Sequence, residues 1–248
     1  MRQRDNFENF NRFLSNTDAE FRVLEHQVPV ETQMEYFIYT NRLRSLLPDD
    51  ADTAFEQLAF ALHDSATSLN MKRTILSTLA VTKEAKAYRI LQGYVQEPDA
   101  DLKDWAHMAF MECRVRLESE FSDERQIYIS TGLGGKGNRL RFYILLLSSS
   151  GDHFLDYQRQ TIEREFAYAL HKYDGEIEEL TIKNNYAELV FLAPIHTDVK
   201  RFIENVVSEC NQYGNFIANT ITVTNVKRLA EDEIAQIIKK HENIRTSS

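Results

Sequence analysis

The sequence predicts an α+β protein in which an all-helical N-terminal region precedes a region of alternating strands and helices. Before residue 125 the chain has one glycine, Gly93, and its apolar residues recur every three or four positions, the period of an α-helix. After that point, short runs rich in β-branched and aromatic residues alternate with longer helical patterns. We therefore expect two domains, residues 1–124 and residues 125–248.

The N-terminal domain is predicted to be a set of packed helices. Residues 54–62 give the clearest pattern, because Phe55, Leu58 and Leu62 form one apolar stripe. Pro98 marks the break between the last two helices. The predicted helices cover residues 6–14, 31–47, 54–62, 69–81, 83–96 and 101–121.

Two helical pairs within this domain have similar sequences. The segment Ala54-Phe-Glu-Gln-Leu is similar to Ala87-Tyr-Arg-Ile-Leu, and each is followed by a helix that opens with a basic residue. This pattern resembles the HEAT or armadillo class of helical repeats over about residues 49–120, and such units bury their apolar faces by stacking. A plain bundle of four or five helices explains the same pattern and stays an open alternative.

The C-terminal domain is predicted to follow the order strand, helix, strand, strand, helix, strand. An additional strand at residues 126–130 precedes this set, and a further helix at residues 231–241 follows it. Two asparagines, Asn184 and Asn185, suit a two-residue hairpin turn because Asn tolerates left-handed backbone conformations. The predicted strands cover residues 140–148, 177–183, 186–193 and 220–226, and the helices cover residues 155–172 and 197–212.

This order of elements resembles the ferredoxin-like βαββαβ fold. The resemblance implies that the first and third strands are central, and residues 140–147 and 189–193 are the most continuously apolar segments. It also implies that both crossover helices cover one face of the sheet, so that the other apolar face needs a cover. The helical domain, the last helix and another copy of the chain are candidates, and we favour a domain or subunit contact. The additional strand is expected to extend the sheet or to dock on it.

Half of the glycines lie in one short run within residues 131–138. The run is not a nucleotide-binding loop of the Walker type, because Lys136 is followed by Gly137, Asn138 and a strand instead of a helix. We expect a flexible loop between the domains, whose functional role is contact with an anion or an RNA phosphate. The residues of this candidate contact are Gly132, Gly134, Gly135, Lys136, Gly137, Asn138, Arg139 and Arg141.

A second candidate site is the loop after the first central strand. Ligand-sensing domains that share the ferredoxin-like order bind small molecules near this loop, so the resemblance implies a ligand loop here. Residues 148–153 also contain Ser, Asp and His, but groups this close in sequence rarely adopt the geometry of a catalytic triad. The candidate ligand residues are Ser149, Ser150, Gly151 and Asp152.

Several functional classes lack support in the sequence. The seven histidines never occur at His-x-x-x-His spacing and the two cysteines, Cys113 and Cys210, are far apart, so we expect neither a metal site nor a cofactor. The start of the chain has no apolar segment typical of a secretory signal, and no apolar run is long enough to cross a membrane. These observations predict a cytoplasmic protein without a membrane partner.

The charge distribution shapes the functional prediction. The formal net charge is −9, and residues 1–124 carry most of it, with 14 Lys and Arg against 22 Asp and Glu. We expect a non-catalytic protein-interaction or regulatory module that is not an enzyme and that binds a protein partner through its helical surface.

Two alternatives to that function remain open. One is an RNA- or ribosome-associated factor that uses the glycine loop and the basic tail, Lys239 to Arg245. In RNA-binding domains of ferredoxin-like fold, aromatic residues of the central strands stack on bases, and only Phe142 or Tyr143 is placed for this here. The other alternative is a sensor of small ligands.

Overall fold

The computed structural model describes residues 20–45, 54–121 and 126–246. These residues form two compact units, and the division lies between Gly134 and Gly135, inside the glycine run. The chain is an α+β protein, as the sequence predicts. The helix predicted at residues 6–14 and the boundary predicted between residues 124 and 125 lie outside the described residues, as do residues 46–53.

Five helices make up most of the first unit, which we call the helical unit. The last of them is the longest and lies at the centre of the packing, because the two helices before it both contact it. Within the described residues no helix combines the length and apolarity that crossing a membrane requires. The helices are α1 (Val30–Arg44), α2 (Phe55–His63), α3 (Leu69–Val81), α4 (Ala85–Tyr94) and α5 (Lys103–Phe121), with a 3₁₀ turn at Ala100–Leu102.

The core of the helical unit is organised around Trp105 of α5. Its side chain is buried and donates a hydrogen bond from Nε1 to Ser77 Oγ of α3 at 3.0 Å. Tyr36 and Tyr39 of α1 pack edge-on against the indole, with ring centroids 5.2 and 5.5 Å away. The indole therefore joins three helices, and its one polar atom is satisfied inside the core.

A two-stranded parallel sheet completes the helical unit. Strand β1 (Glu20–Val23) pairs with β2 (Gln126–Ile129), and Leu24 N donates to Ile129 O at 3.0 Å. The additional strand predicted at residues 126–130 is therefore present, but it neither extends the main sheet nor belongs to the second unit. Its partner was not predicted because a segment of four residues carries too little periodicity to identify a strand.

A buried lysine links three segments of the helical unit. Lys72 of α3 places its Nζ 2.7 Å from Asp99 Oδ2, in the segment that precedes α5. Tyr94, at the end of α4, donates its hydroxyl to the same oxygen at 2.6 Å. The hydrogen bonds from Lys72 and Tyr94 lower the pKa of Asp99. This carboxylate thus satisfies a buried cation that would otherwise be costly.

The second unit, which we call the sheet unit, contains an antiparallel sheet. Its central strands are β4 and β6, its edges are β5 and β7, and β3 pairs with the start of β4. The strands are β3 (Gly135–Lys136), β4 (Arg139–Leu147), β5 (Glu176–Ile182), β6 (Tyr186–Pro194) and β7 (Thr222–Thr224). The helices are α6 (Asp156–Lys172), α7 (Val199–Asn211) and α8 (Glu231–Thr246).

The central strands are buried on both faces. On one face Phe142 stacks on Phe191, and Phe191 contacts Phe202 of α7, with centroid distances of 5.5 and 5.9 Å. On the other face Tyr143 and Leu145 are equally buried. The aliphatic side chains along both strands leave little room for water in this core.

Helix α8 lies against the second face of the sheet. Its residue Ile234 is buried, and Ile238 lines a cleft together with Leu147 at the end of β4. Arg228, just before the helix, pairs with Glu179 of β5 at 2.7 Å. A helix of the same unit thus packs at this face, and the domain or subunit contact over it stays a prediction.

We expect Gly134→Ala to destabilise the helical unit strongly. Gly134 has φ +66°, and a Cβ there would lie 2.6 Å from the carbonyl oxygen of Glu25, so the backbone would have to shift. The clash should lower the free energy of unfolding by about 1–3 kcal/mol, in addition to the cost of placing alanine in a left-handed conformation. Urea unfolding followed by the fluorescence of Trp105, the single tryptophan, reports this unit alone.

Gly93→Ala is the matched control for that measurement. Gly93 lies in α4, where an added Cβ meets nothing within 4 Å, and its φ is not positive. Alanine favours helix over glycine by up to about 1 kcal/mol, so this variant should be as stable as the parent or more stable. Equal urea midpoints for the two variants would contradict the assignment at Gly134.

We expect Asp99→Asn to lower stability at neutral pH by roughly 1–3 kcal/mol, because Lys72 would lose its counter-charge. The pKa of Asp99 is lower in the folded protein than its value of 3.8 in the unfolded chain. The stability that the Asp99 carboxylate contributes is therefore present above pH 3.8 and is lost as the pH falls below 3.8 and through the folded-state pKa. The difference in urea midpoint between the parent and Asp99→Asn should therefore narrow below that pH. Asp101→Asn, at an exposed neighbouring position, should leave the urea midpoint unchanged both at neutral pH and below that pH.

Candidate functional site

The cations of the glycine run face glutamates of β5. Lys136 and Arg139 lie 3.6 and 3.5 Å from Glu176 Oε2, and Arg141 binds Glu178 through two hydrogen bonds. The second of those bonds joins Nη2 to Oε1 at 2.8 Å. An anion at this loop would have to compete with two carboxylates. Contact of the loop with an anion or RNA stays a prediction.

The strand register explains why these charges meet. Arg141 on β4 stands opposite Leu192 on β6, and Leu192 stands opposite Glu176 on β5, so Arg141 and Glu176 lie on the same sheet face. Glu178, which Arg141 binds, lies in the register shift between Ile177 and Glu179. The hydrogen bond from Arg141 lowers the pKa of Glu178. Sequence analysis missed this pairing because Glu178 lies on another strand, 37 residues further along the chain than Arg141.

The glycine run is divided between the two units. Gly132 and Gly134 belong to the helical unit, where Thr131 donates its hydroxyl to Gly134 O at 3.1 Å. Gly135 begins β3 in the sheet unit, where it stands opposite Leu140 of β4. The run thus contains a short strand that the sequence did not predict.

The predicted ligand loop after β4 is held between two other segments of the sheet unit. Ser148 N donates to Asn185 O, in the β5–β6 hairpin, at 2.8 Å. Ser149 N donates to Phe216 O at 2.9 Å, and Ser149 Oγ donates to Asn215 O at 2.8 Å. Asp152 N donates to Ser150 Oγ at 3.2 Å. These bonds fix the loop that we call the serine loop, residues 148–152.

A small cleft lies between the serine loop and α8. Ser148, Gly151 and Asn185 form one side of it. His241 and Glu242 of α8 form part of the other side. The Nε2 atom of His241 is buried and has no hydrogen-bond partner among the described residues. The cleft therefore presents hydroxyl, amide and imidazole groups together.

Three cations stand on the C-terminal half of α8, and we call them the α8 cations: Lys239, Lys240 and Arg245. All are exposed, and among residues 20–45, 54–121 and 126–246 no carboxylate pairs with any of them. Gly151 has φ +77°, and a Cβ there would lie 3.0 Å from Arg245 Cζ, so this guanidinium rests on the serine loop. The α8 cations thus differ from the glycine-run cations in being unpaired.

The sheet itself offers no aromatic platform. Phe142 and Tyr143, which the sequence suggested for base stacking, are 4% and 1% exposed. Tyr143 donates its hydroxyl to Glu188 Oε2 at 2.9 Å, and burial raises its pKa well above the ordinary value. A ligand that needs aromatic contact must therefore find it elsewhere in this unit.

The described residues contain no group of three or more His, Cys, Asp or Glu side chains that could hold a metal ion. Sequence analysis found the serine loop but did not foresee that α8 forms the facing wall. The available signal was the spacing of Ile234 and Ile238, which marks the buried side of α8.

No family model matches the sequence, and no curated protein is similar to it. Several solved structures are similar over part of the chain, and two of them are as follows. One is a putative transposase from Deinococcus radiodurans R1, with 14% identity over 44% of this chain and 93% of that one, and a TM-score of 0.35. The other is a REP-associated tyrosine transposase bound to a REP hairpin, with 15% identity over 47% of this chain and 68% of that one, and a TM-score of 0.31.

These findings correct two predictions from the sequence. Both similar structures are transposases, contrary to the prediction of a non-catalytic interaction or regulatory module and to the prediction that the chain is not an enzyme, and both predictions are withdrawn. The comparisons do not support the predicted protein partner either.

We expect a double-mutant cycle to show strong coupling between Arg141 and Glu178. Their side chains are 13% and 24% exposed and share two hydrogen bonds, so removing either leaves a half-buried charge. Single alanine variants and the double variant should give a coupling energy of roughly 0.5–3 kcal/mol. Hydrogen exchange of peptides from β4 and β6 measures the stability of this sheet.

The Lys136 and Glu176 pair supplies the comparison. These side chains are 58% and 45% exposed and 3.6 Å apart, so their cycle should give no more than about 1 kcal/mol. If the exposed pair were coupled as strongly as the half-buried one, the structural role given to Arg141 would be wrong.

Proposed function

We propose that the sheet unit binds nucleic acid at the cleft between the serine loop and α8. The α8 cations carry this proposal: Arg245 contacts Gly151 of the serine loop, Lys239 and Lys240 directly follow the cleft residue Ile238 in sequence, and none of the three has a carboxylate partner among the described residues. Lysine and arginine side chains that face phosphates supply most of the affinity of proteins for nucleic acid, and exposed unpaired cations are free to make such contacts.

The neighbouring groups suit a phosphate oxygen. Arginine and hydroxyl groups donate hydrogen bonds, and a phosphodiester only accepts them. Ser148 Oγ and Ser150 Oγ lie 3.3 Å apart on the serine loop, and Arg245 rests on Gly151 of the same loop. His241 adds a ring nitrogen whose hydrogen-bonding capacity is unused among the described residues.

The position of the cations has a second physical cause. Positive side chains near the C-terminus of a helix interact favourably with the helix dipole, which accounts for basic residues at this end of α8. The dipole does not account for the contact between Arg245 and Gly151, because it requires only that the charge be near the helix end. That contact favours a binding role.

The proposal includes an assignment of the two units and of their location. We infer a ferredoxin-like fold for the sheet unit from the strand order β5-β6-β4-β7, and HEAT-like packing for the helical unit from the contacts of the α2–α3 and α4–α5 pairs. The buried, free thiols of Cys113 and Cys210 support a cytoplasmic location.

We expect the triple variant K239A/K240A/R245A to bind DNA more weakly than the parent. Each lost phosphate contact reduces the slope of log affinity against log salt by about 0.7–0.9, so three contacts reduce it by roughly 2–3. Fluorescence anisotropy with a labelled oligonucleotide over a series of salt concentrations measures both the affinity and the slope.

The control variant is K172A/K200A/R201A, which removes the same charge from exposed positions on α6 and α7. Its affinity and its salt slope should stay close to those of the parent. If both triple variants lose binding equally, only net charge matters and the cleft is not the site. The proposed function fails if the parent protein binds neither DNA nor RNA at low salt.

A further inference from the structure

The serine loop has a second neighbour besides α8. Hydrogen bonds from Ser149 to Asn215 O and Phe216 O join it to the segment that follows α7. Gly151, two residues further along, contacts Arg245 of α8. The serine loop therefore lies between the α8 cations and the segment around residue 215.

Two half-exposed tyrosines stand on that side of the loop. Tyr157, in the first turn of α6, is 49% exposed, and Tyr213, directly after α7, is 53% exposed. Tyr157 packs edge-on against Phe216 with a centroid distance of 6.4 Å, and its hydroxyl lies beside Gly214. Since about half of each tyrosine side chain is exposed, both rings offer π surface to a ligand.

A cation accompanies these rings. Arg164 of α6 places its guanidinium 5.7 Å from the centroid of Tyr213, in the range of a cation–π interaction. Arg164 follows Tyr157 by two helical turns, so both side chains lie on one face of α6. The Arg164 guanidinium also pairs with Glu165 at 3.0 Å, so it contacts both a carboxylate and the Tyr213 ring. Aromatic faces and positive charge thus occur together here.

We propose that the nucleic acid bound at the cleft is single-stranded, with unpaired bases stacked on Tyr157 and Tyr213. This inference rests on the nucleic-acid binding proposed above. Single-stranded nucleic acid is bound by grooves in which cations contact the backbone while aromatic side chains stack on bases. Bases in a duplex already stack on each other and cannot offer their faces to a side chain. The sheet is closed to bases, because Tyr143 is buried.

The test compares a labelled oligothymidine with a mixed-sequence DNA duplex of equal length, both bound to the full-length protein. The variant is Y157L/Y213L, which keeps apolar side chains at both positions but removes the rings. Affinity for oligothymidine should fall roughly fivefold to a hundredfold for each ring lost. Affinity for the duplex should stay within about twofold of the parent, because the phosphate contacts are unchanged.

Tyr173→Leu is the matched control. Tyr173 ends the same helix, α6, is 47% exposed, and packs edge-on against Phe202 at 5.5 Å. It therefore matches Tyr157 in exposure and in its edge-on contact with a phenylalanine but lies at the opposite end of α6, so its replacement should leave both affinities unchanged. The variant Y157F/Y213F retains the rings and should retain tight binding to oligothymidine.

The outcomes separate this inference from the proposed function. If Y157L/Y213L binds oligothymidine as the parent does, while K239A/K240A/R245A binds both DNAs weakly, the stacking role is wrong and the phosphate site stands. If the parent binds neither DNA, both proposals fail. A loss of equal size for oligothymidine and duplex also overturns the stacking role.

A crosslinking measurement on the unmodified protein keeps the inference testable should Y157L/Y213L fold poorly. Irradiation of the complex with 5-bromodeoxyuridine-containing oligonucleotide, followed by mass spectrometry, identifies the residues in contact with bases. Adducts at Tyr157 or Tyr213 support the inference. Adducts confined to Tyr168 or Tyr173, or to the helical unit, overturn it.

Discussion

The burial of strand β4 on both faces is the constraint on which the sheet unit depends. Residues 142–147 are all buried, so each face of this strand must meet apolar side chains from another element. Helix α6 contacts β5 and α7, and α8 contributes the buried Ile234. Further along α8, Ile238, His241 and Glu242 line the cleft that includes the serine loop and the end of β4. The position of the candidate site is thus a consequence of how the central strand is covered.

The same sheet also decides which cations are available to a ligand. Arg139 and Arg141 lie at the start of β4, and each has a carboxylate partner on β5. Ion pairs of this kind hold the edge strand, and they use the positive charge that an anion would need. The α8 cations have no carboxylate partner among the described residues. A chain with a formal net charge of −9 can therefore present a local surface suited to phosphate.

The parts of the fold that could be predicted are those with local signals. Helical periodicity gave α2 to α5, and continuous apolar runs identified β4 and β6 as central strands, since burial on both faces removes polar alternation. The β1–β2 pair could not be predicted, because its strands are four residues long and about a hundred residues apart. The serine loop was found from its residue types. The facing wall was not, because contact between residues 151 and 245 leaves no trace in local sequence.

Gly151 connects the backbone of the serine loop to the charge beside it. Its φ of +77° is a conformation that other residues adopt at a cost, and its missing Cβ leaves the space in which the Arg245 guanidinium lies. A side chain at position 151 would have to displace that guanidinium or change the loop. The same loop carries Ser149, which holds the segment between Tyr213 and Phe216. One short loop therefore contacts both Arg245 and the segment that follows Tyr213, so the two proposed contacts meet at a single backbone conformation.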